Sequence, residues 1–351
     1  MQKVIKSNDL NKDLTKILNS ISFDKLFVLT DTNTDKLCYP FIAKNEHIAN
    51  AGKIVIEAGD NNKNIESLSS IWEYLSQNGA TRHSLLINLG GGMLTDIGGF
   101  AAATFKRGIK CINIPTTLLG AVDAAVGGKT GINFDGLKNE IGAFAPAETV
   151  LIDSVFFKSL DHQNFLSGYA EMLKHGLIDS DREWKATISF DTDNIDYEKL
   201  KQLVVDSVSV KERIVAIDPF EKGIRKALNL GHTIGHAFES LSYTIGKPVQ
   251  HGYAVAWGII CELYLSAKFC NFPEDKLRST VYFIKDNYIG FPFDCDNYEA
   301  LYELMKHDKK NESDTINFTF LSDVGKVEIN QTAAKEDILE SIDYLRDCVG
   351  L

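Results

Sequence analysis

Short apolar runs alternate with amphipathic segments over the first 155 residues. The runs have the length and composition of buried strands and cover residues 25–31, 53–57, 84–89 and 149–153, with a further strand in 112–119 that leads into a hydroxyl-bearing loop. Apolar positions 65, 68, 71, 72 and 75 predict a helix over 65–77, and another helix begins after 90–96 and reaches Phe105. Strands that alternate with helices are typical of a parallel α/β sheet.

From Asp161 onward the apolar spacing is mainly helical. Helices are predicted over 169–176, 203–217, 225–239, from 251 onward, and over about 273–288, 297–307 and 333–348, with a small hairpin over 316–320 and 325–329. A chain of 351 residues is long for one domain. We therefore predict an α/β domain with a parallel sheet over residues 1–155 and a mainly α-helical domain over residues 156–351.

Four polar residues stand at helical spacing within Arg225–Glu239. Arg225, Asn229, His232 and His236 follow one another at intervals of four, three and four, which places them on one face of a helix. Polar groups on a core-facing stripe are costly unless something satisfies them, so this face predicts a metal, an anionic substrate, or both. Two histidines four residues apart also occur as a surface pair or as satisfied core residues, and the spacing alone leaves both interpretations open.

Glycines at two places in the sequence would let a ligand or a second backbone approach the main chain. Gly90–Asp96 is a turn between a strand and a helix, where backbone N–H groups can meet a phosphate. It departs from the dinucleotide fingerprint because Thr95 occupies the third glycine position, and a tight corner is the alternative interpretation. Beside the histidines, Gly231 and Gly235 lower helix stability and leave room for a ligand or a second backbone.

Two further glycine-rich segments, 123–131 and 136–142, are predicted to be loops. Lys129, Lys138 and Asn139 lie in them, which suits the binding of an anion. Solvated loops without a ligand are the alternative, although such loops rarely combine so many glycines with small apolar residues.

Composition narrows the class of protein. Hydrophobic residues make up 44% and charged residues 24%, as in ordinary soluble globular proteins, and no apolar run approaches the length that spans a bilayer. The first residues lack the apolar core of a signal peptide, and the six cysteines are scattered without a CxxC pair, so we expect reduced thiols in a cytoplasm. A net charge of −11 disfavours nucleic acid, and an anionic substrate would require basic residues gathered locally.

Taken together and in order, the motifs resemble the 3-dehydroquinate synthase family, the sugar-phosphate cyclases of the shikimate pathway of aromatic amino acid biosynthesis. The resemblance runs from about Asp31 to Lys310. It rests on segments 90–96, 114–119, 122–130, 136–142, 170–174, 228–239, 251–252 and 308–310. Each segment is ordinary alone, but their combination is specific.

The resemblance implies an NAD-binding α/β domain, a mainly helical domain, and an active site in the cleft between them, in a homodimer. It implies a divalent metal, usually zinc with cobalt as an alternative, held by Glu171, His232 and His251. Two imidazoles and one carboxylate leave positions open for a substrate, as catalytic zinc sites require. Matching positions imply that NAD is held by Asp31, Asn33, Asp60, Lys63, Gly91, Gly92, Met93, Asp96, Thr116, Thr117, Lys138, Phe156 and Ser159.

The family's reaction converts a seven-carbon keto-acid phosphate to dehydroquinate and phosphate, by oxidation with NAD⁺, elimination of phosphate, re-reduction and an intramolecular aldol step. The resemblance implies that His236 assists proton transfer. It also implies that Lys129, Asn139, Arg225, Asn229, Lys211, Lys309 and Lys310 hold the substrate, that Asp123 orients neighbours or hydroxyls, and that Lys174 and Glu221 support them.

Two departures from the family pattern concern these sites. Asp60 stands where the family usually has Glu, and Tyr253 replaces a Glu that commonly follows the third metal ligand. The residues that surround the metal ligand His251 therefore differ from the family pattern, and such outer partners tune the affinity of a metal site.

Three other functions are compatible with parts of this pattern: those of a cyclase acting on a sedoheptulose phosphate, a metal-dependent polyol dehydrogenase, and a catalytically dead binding protein. Arg225 argues against the first because a carboxylate-bearing substrate needs a cation. A polyol dehydrogenase has no use for so many phosphate-binding lysines. The intact set of metal ligands and bases argues against a catalytically dead protein.

Overall fold

The computed structural model describes residues 2–135, 137–306 and 315–350. The chain forms two compact units, Met1–Asp161 and His162–Leu351. Lys309 and Lys310, which the family resemblance assigns to the substrate site, lie outside the described residues.

The first unit is built on a six-stranded parallel sheet, as the alternation of strands and helices predicts. The strands lie in the order β1-β8-β5-β4-β2-β3. Their bounds are β1 Lys3–Lys6, β2 Leu26–Asp31, β3 Gly52–Ile56, β4 Leu85–Gly90, β5 Lys110–Pro115 and β8 Thr149–Ile152. The short, lysine-flanked strand β1 was not predicted. It pairs with β8 and forms one edge of the sheet.

Helices cover both faces of this sheet: α1 Leu10–Ser20, α2 Thr34–Leu37, α3 Tyr39–Ile42, α4 Ile65–Gln77 and α5 Gly92–Thr104. Strand β4 shows why its sequence is a continuous apolar run, since Leu86 joins one core while Leu85 and Ile87 join the core on the opposite face. Helix α4 has its predicted bounds because Asn64 caps its first turn by accepting from Ser67 N at 3.0 Å. Helix α1 was not predicted.

The prediction of loops at 123–131 and 136–142 is wrong in part. Strands β6 Lys129–Phe134 and β7 Leu137–Phe144 form an antiparallel hairpin, and Gly120–Ala124 is a π-helical turn. Gly131 and Gly142 pair with each other, and a Cβ on either would lie 2.6 or 2.2 Å from a carbonyl oxygen of the facing strand. The glycines therefore allow two strands to approach each other closely. In sequence, such glycine-rich strands have the composition of a loop.

The second unit is mainly helical, as predicted. Its helices are α6 His162–Asp179, α7 Asp181–Ile188, α8 Tyr197–Ile217, α9 His232–Thr244, α10 His251–Cys270, α11 Glu274–Asn287, α12 Tyr298–Lys306 and α13 Lys335–Val349. The predicted hairpin is present as β9 Phe318–Asp323 and β10 Lys326–Gln331, which pair antiparallel. Among the described helices, α10 alone is long and apolar enough to cross a membrane, but it is mostly buried inside its own unit, as the core helix of a soluble protein is.

A single helix over 225–239 is a wrong prediction. Residues Ile224–Asn229 form a 3₁₀ helix, the chain turns at Gly231 with φ of +78°, and α9 begins at His232. Both pieces bury apolar side chains, so the apolar spacing continues across the break and conceals it. Arg225 and Asn229 consequently do not share a helix face with His232 and His236.

The glycines of this segment make room for another backbone. A Cβ at Gly235 would lie 2.9 Å from the carbonyl oxygen of Ala254, and one at Gly231 would lie 2.9 Å from that of Val255. From the other side, a Cβ at Gly258 would lie 2.0 Å from Gly231 O. Helices α9 and α10 therefore pack with their backbones in direct contact, which brings their N-terminal histidines close together.

Candidate active site

Three side chains from three helices of the second unit meet at one point. Glu171 lies in the middle of α6, His232 is the first residue of α9, and His251 is the first residue of α10. Glu171 is fully buried, and its Oε1 lies 3.3 Å from His232 Nε2 and 3.4 Å from His251 Nε2. The structure thus brings together the three predicted metal ligands.

The spacing of these donor atoms suits a divalent cation. In a tetrahedral zinc site with metal–donor distances of about 2.0–2.1 Å, neighbouring donors lie about 3.3 Å apart. Glu171 Oε1 is a buried oxygen without a hydrogen-bond donor, and such an atom is costly unless a cation or proton satisfies it. The residues therefore fit a metal held by one carboxylate and two imidazoles.

The outer partners of both histidines leave Nε2 available as a ligand. Nδ1 of His232 lies 3.1 Å from the carbonyl oxygen of Leu230, and Nδ1 of His251 lies 3.0 Å from Glu239 Oε2. Since each Nδ1 has an acceptor, the proton of the neutral ring lies on Nδ1 and its lone pair on Nε2. Tyr253, the departure from the family pattern, packs edge-on against Tyr288 at 5.2 Å, and Glu239 provides the carboxylate partner of His251.

Charges around Glu171 keep it anionic. Its other oxygen pairs with the ammonium of Lys174, which is itself buried. Burial alone would raise the pKa of Glu171, but Lys174 and His232 outweigh it and hold that pKa well below its usual range. Burial would likewise lower the pKa of His251, but the carboxylates of Glu239 and Glu171 raise it to about 10. The site is therefore arranged around a permanent carboxylate charge, which favours a cation.

A third imidazole lies beside this cluster. The ring of His236 is 5.3 Å from that of His232 and 5.8 Å from that of His251, measured between centroids. The ring nitrogens of these three histidines could themselves surround a metal ion. Glu171 Oε1 distinguishes the two possible ligand sets, because it already faces both His232 and His251 at ligand spacing.

The segment before α9 holds two of the polar residues assigned to the substrate, Arg225 and Asn229. Asn229 Nδ2 donates to Glu221 Oε1 at 2.9 Å, and the buried Arg225 donates through Nη1 to the carbonyl oxygen of Pro219 at 2.6 Å. Asp218 accepts from the backbone N–H of Arg225 at 3.1 Å and so anchors this turn. Lys211 is buried on α8.

In the first unit, residues assigned to NAD gather at the carboxyl ends of the strands. Asp31 ends β2, Gly91 and Gly92 follow β4, and Thr116 follows β5. The chain crosses back over β2 between β3 and β4, so the gap between β2 and β4 is a topological switch point, where such sheets bind ligands. The same edge carries Asn33, Met93 and Thr117.

Gly91 caps α5 without a side chain, which leaves its first N–H groups open to an anion. Asp31 is held in place because its Oδ1 accepts from Asn33 N at 2.9 Å and from Thr34 N at 2.8 Å. The turn at 90–96 is therefore a strand–turn–helix corner, as both interpretations of it predict, and the binding of a phosphate there stays a prediction.

A second group in this unit joins residues assigned to different ligands. Lys63 Nζ donates at 2.5 Å both to Asp96 Oδ2 and to Asn139 Oδ1. Asn133 links the hairpin to the preceding loop, since its Oδ1 accepts from Asn139 N at 3.0 Å and its Nδ2 donates to Asp60 O at 3.1 Å. Lys138 also lies near this loop, with Nζ 3.4 Å from Asp60 Oδ2. Four residues assigned to NAD thus form one network with Asn139, a residue assigned to the substrate.

The remaining assigned residues of the first unit lie at its loops. Lys129 is exposed at the start of β6, and Asp123 lies in the π-helical turn. Ser159 is exposed at the end of the 3₁₀ helix Ser154–Ser159 and donates to Phe156 O at 2.7 Å. Phe156 is fully buried and packs edge-on against Phe41 at 5.8 Å.

Comparisons with known proteins agree with this architecture. Residues 53–167 match the family model of the 3-dehydroquinate synthase N-terminal domain, and residues 168–311 match that of the C-terminal domain. The 3-dehydroquinate synthase of Parabacteroides distasonis is 58% identical over 350 residues, covering 100% of this chain and 99% of that protein.

The chain belongs to the 3-dehydroquinate synthase family. Two solved structures of related enzymes have the same fold as this chain. A 2-deoxy-scyllo-inosose synthase complexed with carbaglucose-6-phosphate, NAD⁺ and Co²⁺ has a TM-score of 0.83 at 23% identity, covering 97% of this chain and 96% of that one. A 2-epi-5-epi-valiolone synthase from Streptomyces hygroscopicus subsp. jinggangensis 5008, with NAD⁺ and Zn²⁺ bound, has a TM-score of 0.84 at 21% identity, covering 99% and 97%. The predicted fold class and the family resemblance are both confirmed.

Three residues of this family member stand out in the structure but had no role in the sequence analysis. Glu239 contacts His251, Glu262 accepts from the backbone at the start of α9, and Asn133 links Asp60 to Asn139. Glu262 had a signal in the sequence, because it is the one acidic or basic side chain between Gly252 and Leu265 of an otherwise apolar helix. Glu239 lies seven residues after His232 and three after His236, which places it near their helix face.

Proposed function

We propose that this protein is a carbon–oxygen lyase that converts 3-deoxy-D-arabino-heptulosonate 7-phosphate into 3-dehydroquinate and inorganic phosphate. Membership of the 3-dehydroquinate synthase family supports the reaction. The observation in the structure that supports it most is the placement of Glu171 Oε1 at 3.3 and 3.4 Å from two imidazole nitrogens. A cyclase of this class needs such a site to bind and polarise neighbouring hydroxyls of a sugar.

The proposed cofactors are NAD⁺ and one divalent cation, Zn²⁺ or Co²⁺. The two structurally similar enzymes were solved with NAD⁺ and with Co²⁺ or Zn²⁺, and the residues of this chain fit both groups. Glu171, His232 and His251 would hold the cation, and the carboxyl edge of β2, β4 and β5 would hold NAD⁺. When bound, NAD⁺ takes up and later returns a hydride, and the cation acidifies the hydroxyl that is oxidised.

The chain's own groups then have distinct tasks. The ring of His236 lies beside those of the two ligand histidines, and we propose that its imidazole takes a proton from a substrate hydroxyl and returns it. Arg225 and Asn229 would orient the carboxylate and hydroxyls of the substrate, with Glu221 holding the amide of Asn229. Lys129 and Asn139, with Lys211, would supply the local positive charge and hydrogen bonds that an acidic chain needs to bind a dianionic phosphate.

The catalytic use of NAD⁺ separates this function from that of a dehydrogenase. The purified protein is given the heptulosonate phosphate with NAD⁺ far below the substrate concentration. We expect many phosphates released per NAD⁺, no lasting rise in NADH absorbance, and arrest by a chelator. NADH formed in step with turnover would indicate a polyol dehydrogenase instead, and no phosphate release would indicate a binding protein.

The ligand set is tested by separating metal content from turnover. His232→Ala should lose the bound metal and all activity, whereas His236→Ala should keep the metal and lose about 10²- to 10⁴-fold in turnover, as expected for a proton-transfer group. His83→Ala, at an exposed histidine of the first unit, is the matched control and should change neither. Equal metal loss in the His232 and His236 variants would support the three-histidine set and contradict the assignment of Glu171.

We also propose that the protein is a cytoplasmic homodimer. Free thiols at all six cysteines support a reducing compartment.

Large apolar side chains are exposed along the β6–β7 hairpin, at Phe134, Leu137, Ile141 and Phe144, which supports burial against a second copy. Light scattering should give twice the chain mass, and Phe144→Asp should shift the population toward monomer. A monomeric parent protein at micromolar concentration would contradict the dimer.

A further inference from the structure

A buried carboxylate from α10 caps the helix that carries two of the active-site histidines. Glu262 is fully buried, and its Oε2 accepts from Gly231 N at 2.7 Å. Its Oε1 accepts from Thr233 N at 3.1 Å and from Ile234 N at 3.4 Å. These are the N–H groups that a helix leaves without partners at its first turn.

The capping group must come from another helix because α9 cannot supply one. Its N-cap residue is Gly231, in a left-handed conformation with φ of +78°. A Cβ there would lie 2.6 Å from Ile259 Cγ1 and 2.9 Å from Val255 O, so the usual Ser, Thr, Asp or Asn cap is sterically excluded. The close packing of α9 and α10 therefore removes the local cap and at the same time brings the side chain of Glu262 within reach.

A capping residue from α9 itself would cost far less free energy than a carboxylate buried in an apolar helix. The negative charge of Glu262 is therefore expected to contribute something that a neutral cap would not. His232 is the first residue of α9, where the helix dipole is equivalent to roughly half a positive charge. That partial charge opposes a dication bound at His232. A carboxylate on the same N–H groups offsets it, and the three hydrogen bonds fix the backbone from which His232 and His236 extend.

We propose that Glu262 is a positioning residue of the metal site, which holds the first turn of α9 and offsets its positive end so that His232 binds a dication tightly. The inference rests on the proposed metal site at Glu171, His232 and His251. It assigns no contact between Glu262 and the metal or the substrate. Its effect is therefore expected in metal affinity itself, measured without turnover.

The test compares Glu262→Gln with a control in which an equivalent charge is removed from another helix cap of the same unit. Asp196 caps α8 by accepting from Glu198 N at 3.1 Å and Lys199 N at 3.2 Å, so Asp196→Asn makes the matched change. Each variant is stripped with a chelator and titrated with Co²⁺, following the visible absorption bands and competition with a chromophoric chelator. Thermal unfolding of each stripped protein gives its stability separately.

We expect Glu262→Gln to weaken Co²⁺ affinity at least about tenfold and to alter the Co²⁺ bands, and Asp196→Asn to leave both within twofold of the parent. A folded Glu262→Gln variant with Co²⁺ affinity within twofold of the parent overturns the inference. If Glu262→Gln yields no folded protein, Glu262→Asp decides, because it keeps the charge but shortens the reach to the three N–H groups. Unchanged affinity in Glu262→Asp overturns the inference, and weaker affinity supports it.

The same titration separates this inference from the proposed function. A parent protein that binds no Co²⁺, or whose binding survives His232→Ala, overturns the metal site and the role of Glu262 with it. A parent that binds Co²⁺ through His232, together with an unaffected Glu262→Gln variant, overturns the role of Glu262 alone.

Discussion

Replacing Gly258 by alanine would test whether the backbone contact between α9 and α10 positions the metal ligands. The added Cβ would lie 2.0 Å from Gly231 O, 2.9 Å from Gly231 C and 2.8 Å from Gly235 N. All three atoms belong to the backbone, so no side-chain rotation can relieve the overlap. The helices that carry His232 and His251 must therefore move apart.

The size of this movement follows from the structure. An ordinary Cβ contact begins at 3.4 Å, so relieving the 2.0 Å contact requires a displacement of about 1.4 Å along it. Metal–ligand distances tolerate only about ±0.2 Å, so even a small remaining fraction of the displacement disturbs the cation site. We expect Gly258→Ala to weaken Zn²⁺ or Co²⁺ affinity by more than about 100-fold and to cost about 3 kcal/mol of unfolding free energy.

Two other glycine variants complete the assay. Gly235→Ala would place a Cβ 2.9 Å from Ala254 O, a milder overlap, and should weaken metal binding by an intermediate factor. Gly246 follows α9 with φ of +69° and open space around it, so Gly246→Ala should cost about 1 kcal/mol through backbone strain without moving α9 against α10. Chelator competition measures metal affinity, and thermal unfolding of the stripped proteins measures stability.

The reasoning would be refuted by a folded Gly258→Ala protein whose metal affinity lies within about threefold of the parent. It would also be refuted if Gly246→Ala weakened metal binding as much as Gly258→Ala at equal loss of stability. In either case, the packing of α9 on α10 would not determine the geometry of the metal site.

Three further predictions concern other parts of the two sites. Glu239→Gln removes the carboxylate partner of His251 Nδ1, and chelator competition should show about 10- to 100-fold weaker metal binding; unchanged affinity would exclude it as an outer partner. Arg225→Ala should cost about 2 kcal/mol or more in binding of the heptulosonate phosphate while NAD⁺ affinity is kept, and calorimetry showing the reverse would remove Arg225 from the substrate site. Asn133→Ala breaks the link between Asp60 and Asn139 and should weaken NAD⁺ binding several-fold by fluorescence titration, with metal affinity as the control that stays constant.

Much of the first unit could be predicted from sequence because its signals are local. Helix α4 has a capping asparagine directly before it and an apolar face within its own thirteen residues, and its predicted bounds are those observed. The strands at the centre of the sheet are buried on both faces, which makes them continuous apolar runs. The turn at Gly90–Asp96 combines the end of a strand with a glycine cap, so its place before a helix is also readable along the chain.

The family assignment depended on the same kind of signal. Chemically demanding positions keep their residue type and their local spacing, so Glu171, His232, His236 and His251 could be named before their geometry was known. Sequence spacing alone did not distinguish a metal site from a pair of satisfied core histidines. Only the fold, which brings three helix positions to one point, provides donor distances that fit a cation.

Other features were decided by contacts between distant segments. The break before His232 depends on Gly231, whose left-handed turn is stable because Glu262, 31 residues later, accepts its N–H. Residues 129–134 and 137–144 are strands and not loops because Gly131 and Gly142 let the two backbones approach each other. Glycine allows a turn, a loop or a close contact with equal ease, and a buried carboxylate is satisfied by whichever N–H groups the fold brings to it. These choices depend on partners that are remote in sequence, and for that reason only the tertiary structure determined them.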